Sequence, residues 1–279
     1  MARLGDKVAI ITGATSGIGR RTAELFVAEG ARVVVCGRRT ELGKSLEAAL
    51  GEERCHFVTA DVSQESEVRA LVEACLKKWG RVDCLFNNAG GPAPHVGIEA
   101  IEVESFEACF ASLVRSVMLG MKHVAPLMVK QGYGSIINTG SVAGLRAGYS
   151  SITYSAAKAA VIQMTRCVAL QLGEKNVRVN SISPGAIPTG IFGKAAGMAP
   201  ERAERTAAAV KAAFAGVQPI PRAGAPDDIA HAAVFLASDE SSFVNGQDLA
   251  IDGGLIGGRF WSVQQQATRG LRAAMAAVE

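Results

Sequence analysis

The chain has 279 residues, and 49% of them are hydrophobic against 20% charged, so it can bury a full core without staples. Glycine is frequent (31) and proline scarce (9), which excludes a collagen or a Pro-rich disordered chain. A net charge of +3 is too thin for nucleic-acid or polybasic membrane binding, and no window approaches about 18 uncharged apolar residues, so neither a nucleic-acid nor a membrane partner is expected.

The predicted elements alternate along the chain. Residues 8–11 form a β-branched run that stops at Thr12-Gly13 and reads as a buried strand. Residues 18–29 have helical spacing and stop at Gly30; 32–36 are a Val-rich strand stopped by Gly37. A helix at 40–50, a strand at 55–59 and a helix at 64–79 follow, then an extended stretch at 82–87. Residues 103–130 read as one long helix, 134–139 as a strand, and 153–172 as a helix closed by Gly173. Strands at 177–182 and 247–251 complete the rhythm. Strands separated by helices mean βαβ units, and continuous apolar strands suit a sheet covered on both faces. The expectation is an α/β fold: a doubly wound parallel sheet of about seven strands. The Ala-rich stretch 190–217 and the tail after Gly254 break the rhythm.

Six cysteines show no C-x-x-C pairing and four histidines lie far apart, so no metal site is expected. Scattered free thiols fit a reducing compartment, and the apolar run near the N-terminus is too short for a signal peptide; a cytoplasmic location is expected. Cys109 and Cys167 read as core packing, and His95 as an exposed loop residue.

Directly after the first strand comes Thr12-Gly13-Ala14-Thr15-Ser16-Gly17-Ile18-Gly19, and then a helix. A pyrophosphate bound at a helix N-terminus needs backbone N–H groups that no Cβ obstructs. Gly13, Gly17 and Gly19 meet that demand in a strand–turn–helix context. The residue that reads the ribose 2′ position follows the second strand, and there the chain has Arg38 and Arg39 with no acidic residue between Glu29 and Glu41. Two guanidiniums suit a 2′-phosphate, so NADP(H) is expected, with NAD(H) as the alternative.

Tyr154 and Lys158 stand at i and i+4 on a predicted helix, hence on one face about 6 Å apart along its axis. A cation beside a phenol stabilises the phenolate and lowers its pKa, which makes Tyr154 a candidate general acid/base.

With these residues the chain resembles a short-chain dehydrogenase/reductase of the Tyr-x-x-x-Lys type. The glycine loop matches, as do Asp61-Val62 after the third strand, Asn87-Asn88-Ala89-Gly90 after the fourth, and Ser141, thirteen residues before Tyr154. Pro184-Gly185 with Ile187 and Thr189 resembles the loop beside the nicotinamide, and Asp252-Gly253-Gly254 the C-terminal signature. The resemblance covers about residues 5–256 and implies a Rossmann-like single domain over 1–254, with a lid at 190–217 and a C-terminal extension at 255–279. It also implies roles. Tyr154 is the general acid/base, Ser141 hydrogen-bonds the substrate oxygen, and Lys158 lowers the Tyr154 pKa and bonds the nicotinamide ribose. The dinucleotide is held by Gly13, Thr15, Ser16, Gly17, Ile18, Gly19, Arg38, Arg39, Asp61, Val62, Asn88, Ala89 and Gly90, and by Tyr154, Lys158, Pro184, Gly185, Ile187 and Thr189. Gly13, Gly17, Gly19, Gly90 and Gly185 are where backbone is expected to approach the cofactor.

Leu145, Tyr149, Ile191 and Phe192 are expected to line the substrate pocket, with Met198 and Phe214 also facing it, so an apolar or alicyclic ketone or secondary alcohol is the expected substrate. The family usually carries a fourth catalytic residue, an Asn, where this chain has Leu113, which implies weakened turnover or, as the alternative function, a dinucleotide-binding regulator. The resemblance also implies a homotetramer. The extension is expected to dock on a neighbouring subunit or cap a pocket, with a helix over 268–278. Carbon–carbon double-bond reduction is a further reading, but enoyl reductases of this superfamily usually separate Tyr and Lys by six residues, and here three intervene.

Overall fold

A computed structural model describes residues 2–278. The strands are β1 (Val8–Thr12), β2 (Arg32–Gly37), β3 (Cys55–Thr59), β4 (Cys84–Asn87), β5 (Gly134–Thr139), β6 (Val177–Pro184) and β7 (Asp248–Ile251). They form one parallel sheet in the order β3-β2-β1-β4-β5-β6-β7. The expected strand number, parallel arrangement and Rossmann-like architecture are thus present in a single domain. In register, Ile10 of β1 lies between Val34 of β2 and Leu85 of β4. The order reverses between β1 and β4, and at such a switch point the crevice at the strands' carboxyl ends is open to a ligand.

Because successive side chains alternate across a strand, neighbours feed opposite cores. Ile11, Val33, Val35 and Phe86 pack with Phe26 of α1 (Gly17–Ala28), Leu46 of α2 (Thr40–Leu50) and Ile229 and Val234 of α11 (Pro226–Ala237). Ile10, Val34, Leu85 and Ile136 pack on the other face with Leu71 of α3 (Glu65–Trp79), Val124 of α5 (Ser116–Gln131) and Val161 of α7 (Ile152–Gly173). This two-sided burial is why the strands read as unbroken apolar runs.

Four elements differ from expectation. The stretch 103–130 is not one helix: α4 (Val103–Phe110) and α5 are joined by a π-helical turn, Ala111–Arg115, which contains Leu113. The helix α11 was hidden in a segment with no strong apolar period; its start is set by Pro226 in the first turn and by the Asp228 carboxylate, which accepts the Ala225 N–H at 2.7 Å. The segment 190–217 holds three short helices, α8 (Ile191–Ala195), α9 (Pro200–Arg205) and α10 (Ala207–Phe214). The tail helix α12 (Trp261–Ala276) starts seven residues earlier than expected and buries no side chain. Between β5 and α7 lies the one-turn α6 (Val142–Leu145). Among the described residues, no helix is long and apolar enough to cross a membrane.

Candidate active site

The glycine loop turns between β1 and α1 with Gly13 and Gly17 at φ of +67° and +56°, a region closed to most side chains. Ser16 caps α1 without a side-chain bond, and no acidic residue lies in the first turn. The first-turn N–H groups are therefore available to an anion, so the loop fits a dinucleotide pyrophosphate. Several glycines serve a purpose the sequence reading does not assign. A Cβ on Gly13 would lie 2.7 Å from the Ala89 Cα, on Gly19 2.5 Å from the Gly13 carbonyl, on Gly90 3.0 Å from Leu113, and on Gly185 2.7 Å from the Asp252 Cα. At these four the missing side chain makes room for the chain's own neighbours. The β1 and β4 ends are tied directly: Thr12 Oγ1 accepts the N–H groups of Asn88 and Ala89 at 3.0 and 2.9 Å, and the Asn88 amide donates to the Thr12 carbonyl at 2.9 Å.

The two arginines after β2 behave differently. Arg38 has an 80% exposed side chain, with the Asp61 carboxylate 3.9 Å away. Asp61 accepts the Ser63 backbone N–H at 3.0 Å and the Ser63 hydroxyl at 2.8 Å; burial pushes its carboxyl up, but these bonds and the Arg38 charge hold it below the ordinary value. Val62 beside it is half-buried against the α3/α5 core. Arg39 is folded back onto the loop. Its Nε and Nη2 donate to Thr15 Oγ1 at 3.2 and 2.9 Å, Nη2 also to the Ser16 hydroxyl, and Nη1 to Glu204 of α9 at 3.1 Å.

The chemical group gathers at the ends of β5 and α7. Ser141 caps α6 and its Oγ accepts the Ala143 N–H at 3.2 Å. Tyr154 lies in the first turn of α7, whose cap, Ser151, accepts the Tyr154 N–H at 3.4 Å. Lys158 follows one turn on, its Nζ 5.7 Å from the Tyr154 ring centroid and donating to the Thr139 carbonyl at 2.7 Å. Burial pushes the Lys158 ammonium down to about 8 and the Tyr154 hydroxyl up to about 12; a hydrogen bond with Ser141 pulls Tyr154 the other way. The phenol sits above its ordinary value, not below it as the Tyr-Lys spacing predicts. Desolvation of a phenolate outweighs the stabilisation available here.

Leu113 is 1% exposed and packs with Cys109, Ala157, Phe110 and Tyr154. Where the resemblance implies an amide, the structure has an apolar wall. Cys109 is buried as expected, whereas Cys167 is exposed, because it falls on the outer stripe of α7. His95 is exposed.

After β6, the Gly185 N–H donates to the Ile251 carbonyl at 3.0 Å, Ile187 is buried, and the Thr189 methyl lies 3.3 Å from where a Gly17 Cβ would stand. The loop from Pro184 to Thr189 thus reaches across to the glycine loop. Beyond it, Phe192 meets Phe214 edge-on at 4.9 Å, while Ile191, Met198 and Leu145 are half-buried. Tyr149 is exposed, its hydroxyl donating to the Leu255 carbonyl at 3.2 Å, which links this wall to the start of the tail. Phe260 and Trp261 at the head of the tail helix, with Ala215, Gln218, Pro219 and Pro221, wall a groove of about 380 Å³.

Sequence reasoning missed several residues of this site. Asn87 donates to Asn138 at 2.9 Å, and Asn138 donates to Thr165 at 2.9 Å, a buried ladder linking β4, β5 and α7. The available signals are Asn87 in the Asn-Asn-Ala-Gly motif and an Asn near the end of the fully buried strand β5. Thr139 and Glu204 carry no motif at all; their roles come from what they touch.

The comparisons agree with this geometry. A family model described as Enoyl-(Acyl carrier protein) reductase matches residues 13–256. Momilactone A synthase of Oryza sativa subsp. japonica is 42% identical over 257 residues, 91% of either chain. The 2,5-dichloro-2,5-cyclohexadiene-1,4-diol dehydrogenase of Sphingobium indicum is 38% identical over 255 residues, 91% of this chain and 98% of that one. The crystal structure of levodione reductase superposes with a TM-score of 0.82 at 35% identity, over 90% of this chain and 98% of that chain. A parallel sheet with a glycine loop at its switch point and a Ser-Tyr-Lys group beside it, together with these matches, places the chain in the short-chain dehydrogenase/reductase family.

Proposed function

We propose that this oxidoreductase moves a hydride between NADP(H) and an apolar or alicyclic ketone or secondary alcohol. The observation that carries the reading is the convergence of Ser141, Tyr154 and Lys158 at the carboxyl edge of the sheet, next to the glycine loop. The bound nicotinamide supplies the hydride chemistry. The Ser141 hydroxyl holds the substrate oxygen. Tyr154, protonated at neutral pH with its value near 12, gives that oxygen a proton on reduction. Lys158 spends one N–H on Thr139 and keeps two donors for a cofactor hydroxyl.

Arg38 supports NADP(H), since no acidic side chain lies between β2 and α2 and its guanidinium is exposed. The substrate class is supported by Leu145, Ile191, Phe192 and Phe214, and by the alicyclic diol in the name of one relative. Exposed Met118 of α5 and Leu170 of α7 support a homotetramer paired through these helices, and six free thiols support a cytoplasmic setting.

Titration with NADPH and NADH, followed by a ketone and alcohol screen at 340 nm, tests the reading. Tyr154→Phe should lower turnover by about 100-fold or more while leaving cofactor affinity within a few-fold. NADH binding tighter than NADPH by about tenfold overturns the role given to Arg38. The apolar wall at Leu113 favours a second reading, a dinucleotide-binding regulator, for which tight cofactor binding without turnover on any substrate is the expected result. Product analysis separates carbonyl from C=C reduction, the chemistry in the matching family model's description.

A further inference from the structure

We propose that Glu204, carried by the lid helix α9, is a determinant of cofactor choice: its carboxylate satisfies Arg39 and stands against the 2′-phosphate that distinguishes NADPH from NADH. The proposal rests on the dinucleotide reading above and deepens it.

Arg39 is the second residue after β2 and caps α2, in the stretch where the residue reading the ribose 2′ position is expected. Its guanidinium is already matched, by Thr15 and Ser16 on one side and Glu204 on the other. Glu204 also accepts from Lys194 of α8 at 3.2 Å. The carboxylate is firmly placed. A Cβ on Gly190 would stand 2.6 Å from the Glu204 carboxyl group, and one on Gly193 2.5 Å from the Ala203 Cα, so α8 and α9 pack backbone to backbone. Burial alone would raise the Glu204 carboxyl, but the bonds from Lys194, Arg39 and Ser16 hold it below the ordinary value, so the group is ionised at neutral pH.

The two arginines are therefore not equivalent. Arg38 projects into solvent, 3.9 Å from its nearest carboxylate, and is free for a phosphate. Arg39 offers a phosphate less than its full charge, because it shares the Glu204 carboxylate, 3.1 Å away, with Lys194. A 2′-phosphate brought to this corner meets Glu204 as a like charge, whereas a 2′-hydroxyl does not. Glu204 thus restrains a preference that Arg38 sets.

Fluorescence titration of NADPH and NADH into the wild type, Glu204→Gln and Glu204→Ala tests this without any substrate. Both variants keep Arg39 and remove the charge; unfolding midpoints check that each is folded. The expected result is an NADPH Kd lowered about tenfold with the NADH Kd within about twofold, the scale of one charge-assisted contact. Equal tightening of both cofactors, or no change in either, overturns the proposal and leaves the dinucleotide reading intact. A wild-type protein that binds neither dinucleotide overturns that reading and this one with it.

Discussion

Lys158 shows what a single buried charge costs the fold. It is 4% exposed and its ammonium is pushed down to about 8, against 10.5 for a free side chain. Between those values the unfolded chain binds the proton that the folded chain has released. The cost of burying the ammonium is therefore complete below about pH 8 and is relieved as pH rises towards 10.5. Lys158→Met should stabilise the protein by about 1–3 kcal/mol at pH 7, with the gain shrinking by about pH 10, and should abolish turnover. Urea unfolding of both proteins at the two pH values measures this; a gain that does not shrink refutes the burial account. Tyr154 and Lys158 could be put on one face from their i, i+4 spacing, whereas Ser141 entered only through the family resemblance. The direction of the Tyr154 shift was not legible in the sequence, since it depends on how much protein surrounds the hydroxyl. Nor was the difference between Arg38 and Arg39, because it is made by Glu204, 165 positions along the chain.

Among the elements, the strands and most helices that form the sheet's two cores could be located from their apolar periods and their glycine stops. The π turn at Ala111–Arg115 could not, since a π turn keeps the composition of the helix it interrupts. The helices α8–α10 are short, so their arrangement rests on contacts such as Gly193 against Ala203. The ladder Asn87–Asn138–Thr165 couples two strands to the helix that carries Tyr154 and Lys158. Asn138→Leu would remove the acceptor of the Asn87 amide and the donor to the Thr165 hydroxyl, which keeps only its own bond to the Val161 carbonyl. The expected loss is about 2–4 kcal/mol, read from chemical denaturation, with turnover lowered as α7 loses its tie to β5. If stability falls by less than about 1 kcal/mol, water or rotamer changes satisfy the two groups instead.

At the scale of the whole molecule, burial of the thiols gives the fold a pH dependence of its own. Cys36, Cys55, Cys75 and Cys84 are all pushed up to about 12 by burial, against 9.0 for a free thiol. Above about pH 9 the unfolded chain ionises them and the folded chain does not. Their contribution is therefore full below pH 9 and lost as pH rises towards 12. Each thiol costs about 1.4 kcal/mol per pH unit in that range, so the unfolding midpoint should fall steeply above pH 9 in reductant, and Cys84→Ala should flatten the slope. The tail helix α12 buries nothing in this chain, so it contributes little to that midpoint. What the sequence determined by itself is local in origin: strands and helices with their apolar periods, the glycine loop at a helix start, and the Tyr-Lys pair on one face. The tertiary structure alone decided which glycines face protein, which arginine is free, and which way the Tyr154 and Lys158 protons are biased. Those properties depend on desolvation and on charges brought together from distant parts of the chain, and neither is encoded at any single position.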